Sequence, residues 1–294
     1  MEQDSSIRSI SRALAVLRAI NRAGSMPMTE IAKAVNIPYP TALRIVRTLV
    51  EEGVIEREEH RKWYRPTALI QGLSYGFQNH DLLVVAGRPH IVALTHDVQW
   101  PISIVTRAGH SMVVRDSTST LTPFTFNHYY PGWLVPIPVS ASGRAFLANS
   151  PPEVYRELIT YYESHGAEGE VAILRTLERQ GEAERIRQQG YAVVTRTAYS
   201  ANPGKTSSIA VPLFQGDKLL GTLTLVFFAA AMPVAQAVAR FVEPLRETAQ
   251  LIGADMAVDV PSSLSPAEWM SQRNNAVAMT AMASNPQHNK NPPR

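Results

Sequence analysis

The sequence predicts an α/β protein in two parts. A three-helix winged helix-turn-helix comes first, then a linker helix and a larger α/β domain. Three observations predict it. Met28 to Leu49 carries apolar residues at helical spacing on both sides of an Asn36-Ile37-Pro38 break. Directly after it, two short β-prone pieces, Val54-Ile55 and Trp63-Tyr64, flank a charged turn. From Trp100 to Asp255, β-prone runs alternate with helical ones. At 294 residues the chain has room for two domains.

Residues 1–8 read as a mobile start. In the helix that follows, Ile10, Ala13, Leu14, Leu17 and Ile20 form an apolar stripe at 3–4 spacing, with Ser9 as the expected cap and Gly24 as the stop. Thr29 is the expected cap of the second helix, and Ile31, Ala34 and Val35 form its inner face. A third helix starts near Pro38 and continues through Pro40. Proline is tolerated in a first turn, where its missing N–H would have no partner. Ala42, Ile45, Val46 and Leu49 make the buried stripe, and Gly53 is a natural C′ residue. Thr41, Arg44 and Arg47 fall largely outside the stripe, and the two arginines share one exposed ridge. A short helix, a turn and a helix with basic residues outward is the arrangement that enters a DNA major groove. An αα-hairpin in an ordinary helical domain would show the same apolar pattern. Arg8 and Arg12 lie where an arm and a first helix touch a DNA backbone, or belong to a solvated terminus. On the hairpin, Arg57, Arg61 and Lys62 are phosphate candidates, diluted by Glu56, Glu58 and Glu59. It is a contacting wing or a structural hairpin. Three helices and a wing together account for residues 9–66.

Residues 67–97 read as helix. Leu69, Leu73 and Phe77, then Leu82, Val85 and Ala86, recur at helical spacings. A break near Asn79-His80-Asp81 separates the linker from the first helix of the large domain. In that domain Ile102 to Thr106 and Met112 to Arg115 are strand candidates joined at Gly109. Tyr191 to Arg196, Ser207 to Phe214 and Leu219 to Phe228 are further strands, the last two joined by Gln215-Gly216-Asp217. Pro151 to Glu163, Val171 to Gln189 and Pro233 to about Gly253 read as helices. The pattern lapses from Ala254, where Pro, Ser, Asn, Gln and Met dominate, as in a largely disordered tail. The expected domains are therefore 7–66 (DNA binding), 67–80 (linker helix), 81–254 (large domain) and 255–294 (tail).

Charge and composition narrow the function. Residues 1–80 hold 11 Lys/Arg against 8 Asp/Glu, and the other 214 residues hold 17 of each, so the whole net charge of +3 sits on the helix-turn-helix segment. That asymmetry suits phosphate contact. The absence of cysteine excludes disulfides, thiolate zinc sites and a cysteine nucleophile. No secretory pattern opens the chain, and a cytoplasmic protein is expected. The longest apolar run, Leu219 to Ala235, is 17 residues and is broken by Gly221 and Pro233, so a buried strand turning into a helix fits it better than a membrane span. Catalytic patterns are thin. The eight histidines show no tight metal-ligand spacing; a zinc trap from His90, His96 and Asp97 is the nearest to one. Gly204-Lys205-Thr206 lacks the phosphate loop's earlier glycine, since Tyr199 stands there. Val139-Ser140-Ala141-Ser142-Gly143 is not a Gly-x-Ser-x-Gly elbow. No enzyme activity, metal or cofactor is expected. The alternatives are a small-molecule-metabolising enzyme built on the large domain and a nonspecific DNA-architectural protein. The second leaves a neutral domain of roughly 170 residues without a task.

A ligand segment stands out. Thr122 to Trp133 contains Phe124, Phe126, Tyr129, Tyr130 and Trp133. Such rings suit a small aromatic ligand in a mostly apolar pocket. Ser140, Ser142 and the free N–H groups of a helix starting near Ser142 are candidates to hold its carboxylate, with Arg115 and His128 as further anion candidates. The same aromatics would also serve simply to pack a long loop, with Ser142 as a cap.

The run Ile37-Pro38-Tyr39-Pro40-Thr41-Ala42-Leu43-Arg44-Ile45-Val46-Arg47-Thr48-Leu49, followed by Glu52-Gly53-Val54-Ile55, resembles the DNA-reading helix of the IclR family of bacterial transcriptional regulators. Ile10 to Leu17 is similar to that family's first helix. Pro138-Val139-Ser140-Ala141-Ser142-Gly143-Arg144-Ala145-Phe146-Leu147-Ala148 resembles its Thr-Ala-x-Gly-Lys-Ala-x-Leu-Ala segment, and Ser208-Ile209-Ala210-Val211-Pro212 with Gly221 its Ile-Ala-x-Pro-Val strand. The resemblance covers roughly residues 7–254. It implies a winged helix, a linker helix and a GAF-like effector-binding domain. It also implies a homodimer or dimer of dimers on a palindromic double-stranded operator. Val113-Val114-Arg115-Asp116 and the loop through His128 resemble the subgroup controlling aromatic-acid (3-hydroxyphenylpropionate-like) catabolism, which implies a small aromatic acid effector. Two departures matter. Tyr39-Pro40 replaces the Lys-Ser pair that often opens the reading helix, so base reading there is partly apolar. Tyr199 to Lys205 has no carboxylate where relatives commonly have an acidic stretch, so no ligand contact is carried over from them.

Overall fold

The computed structural model describes residues 7–74, 82–125, 129–195 and 205–256. The chain divides into two compact units, Met1–His80 and Asp81–Arg294.

In the first unit, α1 (Arg8–Ala23), α2 (Met28–Ala34) and α3 (Tyr39–Glu51) pack around Val16, Ile20, Met28, Ile31, Ala42 and Val46. The turn between α2 and α3 needs a left-handed residue, and Asn36 takes φ +51, a region its short polar side chain tolerates. Pro38 stands at the N-cap of α3 and Pro40 in its first turn, as expected. The helix ends in a Schellman motif. Gly53 (φ +72) donates its N–H to the Val50 carbonyl, and Val54 donates to Leu49. The hairpin β2 (Ile55–Arg57) and β3 (Trp63–Pro66) follows, and a two-residue strand β1 (Met26–Pro27) completes a sheet of order β1-β3-β2. The strand β1 was too short to read from a pattern. A helical turn α4 (Leu69–Gly72) is the part of the expected 67–80 linker helix among the described residues; the break at Asn79-His80-Asp81 lies outside them.

Several local expectations are corrected. Ser9 and Thr29 do not cap their helices. The cap positions belong to Ile7 and Pro27, with no side-chain hydrogen bond at either. Ala34 is exposed and Ala32 is buried in its place, because the inner face of α2 follows Met28, Ile31 and Ala32. On α1, Ile10 and Leu14 are exposed, and Val16 with Ile20 supplies the core contact.

The second unit is a six-stranded antiparallel sheet. Its strands are β4 (Ile102–Ala108), β5 (Ser111–Ser117), β6 (Leu134–Pro136), β7 (Ala192–Val194), β8 (Thr206–Gln215) and β9 (Lys218–Phe228), in the order β6-β5-β4-β9-β8-β7. Strand alternation sorts β9. Leu223, Leu225 and Phe227 point to one face, and Thr222, Thr224 and Val226 to the other. Helices α5 (Leu82–Val98) and α10 (Val234–Met256) cover the first face through Ile91, Leu94, Phe241, Leu245 and Ile252. Helix α6 (Ala141–Asn149) lies on the second, with α7 (Pro152–His165), α8 (Glu168–Arg179) and α9 (Glu182–Gln189) nearby. The expected single helix over 171–189 is thus two. Gly181 at φ +62 breaks it after Arg179 and re-aims α9 onto α6. The apolar run at 219–235 is β9 and the turn into α10. Among the described residues no helix is long and apolar enough to cross a membrane.

Candidate functional site

The exposed basic side chains of the first unit that matter here lie on α1, α3 and the hairpin. Arg44 and Arg47 are exposed on α3, and Tyr39 at its start is 48% exposed. Arg12, Thr41 and Arg44 line one groove between α1 and α3, together with Ser9 and Thr48. Arg8 is exposed at the N-terminal end of α1. On the hairpin turn Arg61 and Lys62 are exposed, and the Arg61 guanidinium sits 5.5 Å from the centre of the Trp63 ring. Glu56 and Glu58 are engaged locally. Arg65 Nε donates to Glu56 at 2.6 Å, and Ser25 Oγ donates to Glu58 at 2.6 Å. Local pairing therefore takes up part of the acidic charge that dilutes this turn.

In the second unit a cavity of about 240 Å³ opens between the second face of the sheet and the start of α6. Tyr129 and Trp133, edge to face at 5.6 Å, form an aromatic wall. Val105, Val114, Val139, Val194 and Val226 supply aliphatic surface. Polar groups are few in kind: Ser103, Ser140, Ser142, Thr195, Thr206, Ser208 and Thr224 bring hydroxyls. Among the described residues no charged side chain lines the cavity.

The start of α6 is locked in place. Ser140 caps it, accepting the Gly143 N–H at 3.0 Å and donating its own proton to the Pro136 carbonyl at 2.7 Å. The Ser142 hydroxyl donates to Ser140 Oγ at 3.3 Å. Gly143 sits so close to the chain that a Cβ there would lie 2.3 Å from the Ile137 carbonyl oxygen. Arg144 Nε donates to the Pro138 carbonyl at 2.9 Å, and burial lowers the guanidinium's pKa from its ordinary value. Since Ser140 serves the third N–H of the helix, the Ala141 and Ser142 N–H groups remain for a ligand at the cavity rim.

The aromatic segment divides. Tyr129 and Trp133 line the cavity, held by backbone bonds that tie Trp133 and Gly132 to Val114 on β5. Tyr130 packs edge to face on Trp133 at 5.4 Å without lining the cavity, and Phe124 packs against Trp100 at 5.2 Å. Phe126 and His128 lie outside the described residues. Arg115 is not in the cavity lining: its Nη1 donates to Thr106 Oγ1 at 3.3 Å, and Val114 beside it takes the cavity face. His90 Nε2 donates to Asp255 Oδ2 at 2.8 Å, while His96 and Asp97 are exposed, so those three do not converge. Among the described residues no three metal-ligating side chains cluster. Sequence reasoning missed the sheet side of the cavity, namely Ser103, Thr206, Ser208 and Thr224. The signal available was hydroxyl residues alternating with aliphatic ones in strands whose other face is mostly apolar.

Two family models match the chain. The IclR helix-turn-helix domain matches residues 9–59, and the C-terminal domain of the bacterial transcriptional regulator IclR matches residues 77–254. Solved structures share the fold. An IclR family transcriptional regulator from Brucella abortus is 21% identical, covers 88% of this chain and 95% of its own, and has a TM-score of 0.64. The Thermotoga maritima IclR is 21% identical, over 86% of this chain and 100% of its own, at a TM-score of 0.58. An IclR homolog from Microbacterium hydrocarbonoxydans, complexed with 4-hydroxybenzoate, is 20% identical, over 84% and 98%, at 0.58. The exposed arginines of the helix-turn-helix, the cavity of the second unit and the two matched domains agree: this chain belongs to the IclR family, a sequence-specific DNA-binding transcriptional regulator that responds to a small-molecule effector.

Proposed function

We propose that the effector is a small aromatic carboxylate, and that the protein belongs to the regulators of aromatic-acid catabolism within its family. The observation that carries this reading is the cavity between the Tyr129–Trp133 wall and the start of α6. A ring fits the wall, and a carboxylate fits the N–H groups at the helix terminus, with the Ser142 hydroxyl turning its proton from Ser140 to the ligand. Volume agrees, since an apolar cavity of about 150 Å³ takes a benzene ring and this one offers about 240 Å³. The like-folded Microbacterium hydrocarbonoxydans protein was crystallised with an aromatic acid, which is in keeping. Phe126, His128 and Tyr130 are proposed to complete or support that wall. Arg115 acts behind it rather than on the ligand.

On the DNA side, Tyr39, Thr41, Arg44 and Arg47 read the major groove, Arg8 and Arg12 meet the backbone, and Arg61 and Lys62 on the wing meet phosphates. The working unit is a homodimer, or a dimer of dimers, on a palindromic operator. Residues 7–66 form the DNA-binding domain, 67–80 the linker helix and 81–254 a GAF-like effector domain. The effector acts by favouring one setting of the DNA-binding units over another.

The test is capture of fragmented DNA from the protein's own genome, with and without a panel of aromatic acids, followed by sequencing. A palindromic fragment beside aromatic-degradation genes, retained or released by one acid, is the expected result. Trp133→Ala should weaken that acid's effect while leaving acid-free operator binding within about twofold. Enrichment indifferent to every aromatic acid would refute the effector class and leave the regulator intact.

A further inference from the structure

One ion pair fastens the floor of the cavity to the first helix of the second unit. Arg88 on α5 donates through Nη1 to Asp116 Oδ1 on β5 at 2.8 Å and to the Ser117 carbonyl at 3.1 Å. The Asp116 side chain is 12% exposed, and its Oδ1 also accepts the Ser117 N–H at 2.7 Å. A β-bulge puts it there. Ile104 pairs with Asp116 and Val105 with Val114, so Arg115 is an extra residue in β5. On a regular strand, residues two apart share a face. Here the extra residue leaves Val114 in the cavity lining and turns Asp116 to the opposite face, beside Ile104 and against α5.

The other end of the pair sits where α5 is weakest. Gly87 has no side chain, and a Cβ there would lie 2.3 Å from Ile104 Cδ1, so the helix rests on β4 at that turn. Pro89 follows inside the helix and has no N–H to give the Val85 carbonyl. The turns before Pro89 are thus held less firmly to the turns after it. Arg88 ties the earlier turns to the sheet, whereas His90 Nε2, donating to Asp255 Oδ2 at 2.8 Å, ties the later ones to α10. The earlier turns are also where the chain arrives from the first unit, which ends at His80.

Resting on the reading of this cavity as the effector site, we propose that the Arg88–Asp116 pair couples effector binding to operator binding. A ligand against Val114 displaces β5, the bulge carries the displacement to Asp116 on the far face, and Arg88 carries it to the linker-side turns of α5. Neither residue lines the cavity, and neither belongs to the DNA-binding unit. Breaking the pair should therefore leave both ligands able to bind and make them indifferent to each other, because coupling is a free energy separate from either affinity.

The experiment measures operator affinity of the full-length protein with and without saturating acid, and acid affinity of the DNA-free protein by calorimetry. The probes are benzoate, 4-hydroxybenzoate and 3-phenylpropionate, and the variants are Arg88→Gln, Arg88→Lys and His90→Gln. In the wild type at least one acid should change operator affinity by about fivefold or more. In Arg88→Gln that change should shrink to about twofold or less, with acid affinity and acid-free operator affinity each kept within about threefold. Arg88→Lys, which keeps the charge, should retain most of the effect, and His90→Gln should retain all of it. Thermal melts confirm folding. Should Arg88→Gln not fold, Asp116→Asn removes the charge, keeps an acceptor for the Ser117 N–H and gives the same comparison. Full coupling in Arg88→Gln, or an equal loss in His90→Gln, would overturn this assignment while leaving the effector reading in place. Failure of every acid to bind the wild type would overturn the effector reading and this assignment with it.

Discussion

Arg44 shows how far single residues can be argued. It is exposed on α3 and shares a groove with Arg12 and Thr41, so its charge is available to DNA rather than spent on the fold. Arg44→Ala is expected to reduce operator affinity by about 1–3 kcal/mol without shifting the melting temperature. A mobility-shift titration distinguishes its role: a loss confined to the operator marks a base contact, and an equal loss on random duplex marks a phosphate contact. Unchanged binding to both would remove Arg44 from the interface. Exposure on a helix ridge was legible in the sequence, because it follows from 3.6-residue periodicity alone. The orientation of Arg115 was not. It depends on which face of β5 a neighbouring residue takes, and a register shift between Ile104 and Val105 perturbs the pairing beside it.

At the scale of elements, α6 is the piece on which the cavity depends. Its start is set by the Ser140 cap and by the absence of a side chain at Gly143, where the helix rests directly on the Ile137 backbone. Gly143→Ala puts a methyl group into that contact. It is expected to destabilise the protein by about 2–3 kcal/mol and to weaken the effector more than the operator, since the helix terminus must shift. Denaturant unfolding with paired binding assays checks both, and unaltered stability would mean the backbone gives way easily. The helix after it teaches the complementary lesson. The stretch from Val171 to Gln189 has unbroken helical character, yet Gly181 adopts a left-handed conformation and splits it. Glycine permits such a turn without requiring it. The packing of Ile186 in the core beside α6 is what makes the turn worthwhile.

For the molecule as a whole, the charge division suits contact with DNA phosphates: the excess of three positive charges lies on residues 1–80 and the rest is neutral. Operator affinity should therefore fall steeply with salt. If Arg8, Arg12, Arg44, Arg47, Arg61 and Lys62 all met phosphates, the log–log slope would be about −5 per protomer. Effector affinity should barely change, because no charged side chain lines the cavity among the described residues and charge screening has little to act on there. A slope near zero for the operator would count against the basic face. The sequence by itself determined the helix-turn-helix, its Schellman stop, the hairpin, the long strands and the closing helix. All of these rest on local periodicity and on turn residues such as Asn36, Gly53 and Gly216. It also marked Tyr129, Trp133, Ser140 and Ser142, which are close in the chain. Tertiary structure alone decided that Ser103, Ser208 and Thr224, up to some 120 residues apart, share one cavity with them. Strand pairing brings those residues together, and pairing order is a long-range choice that no local pattern encodes.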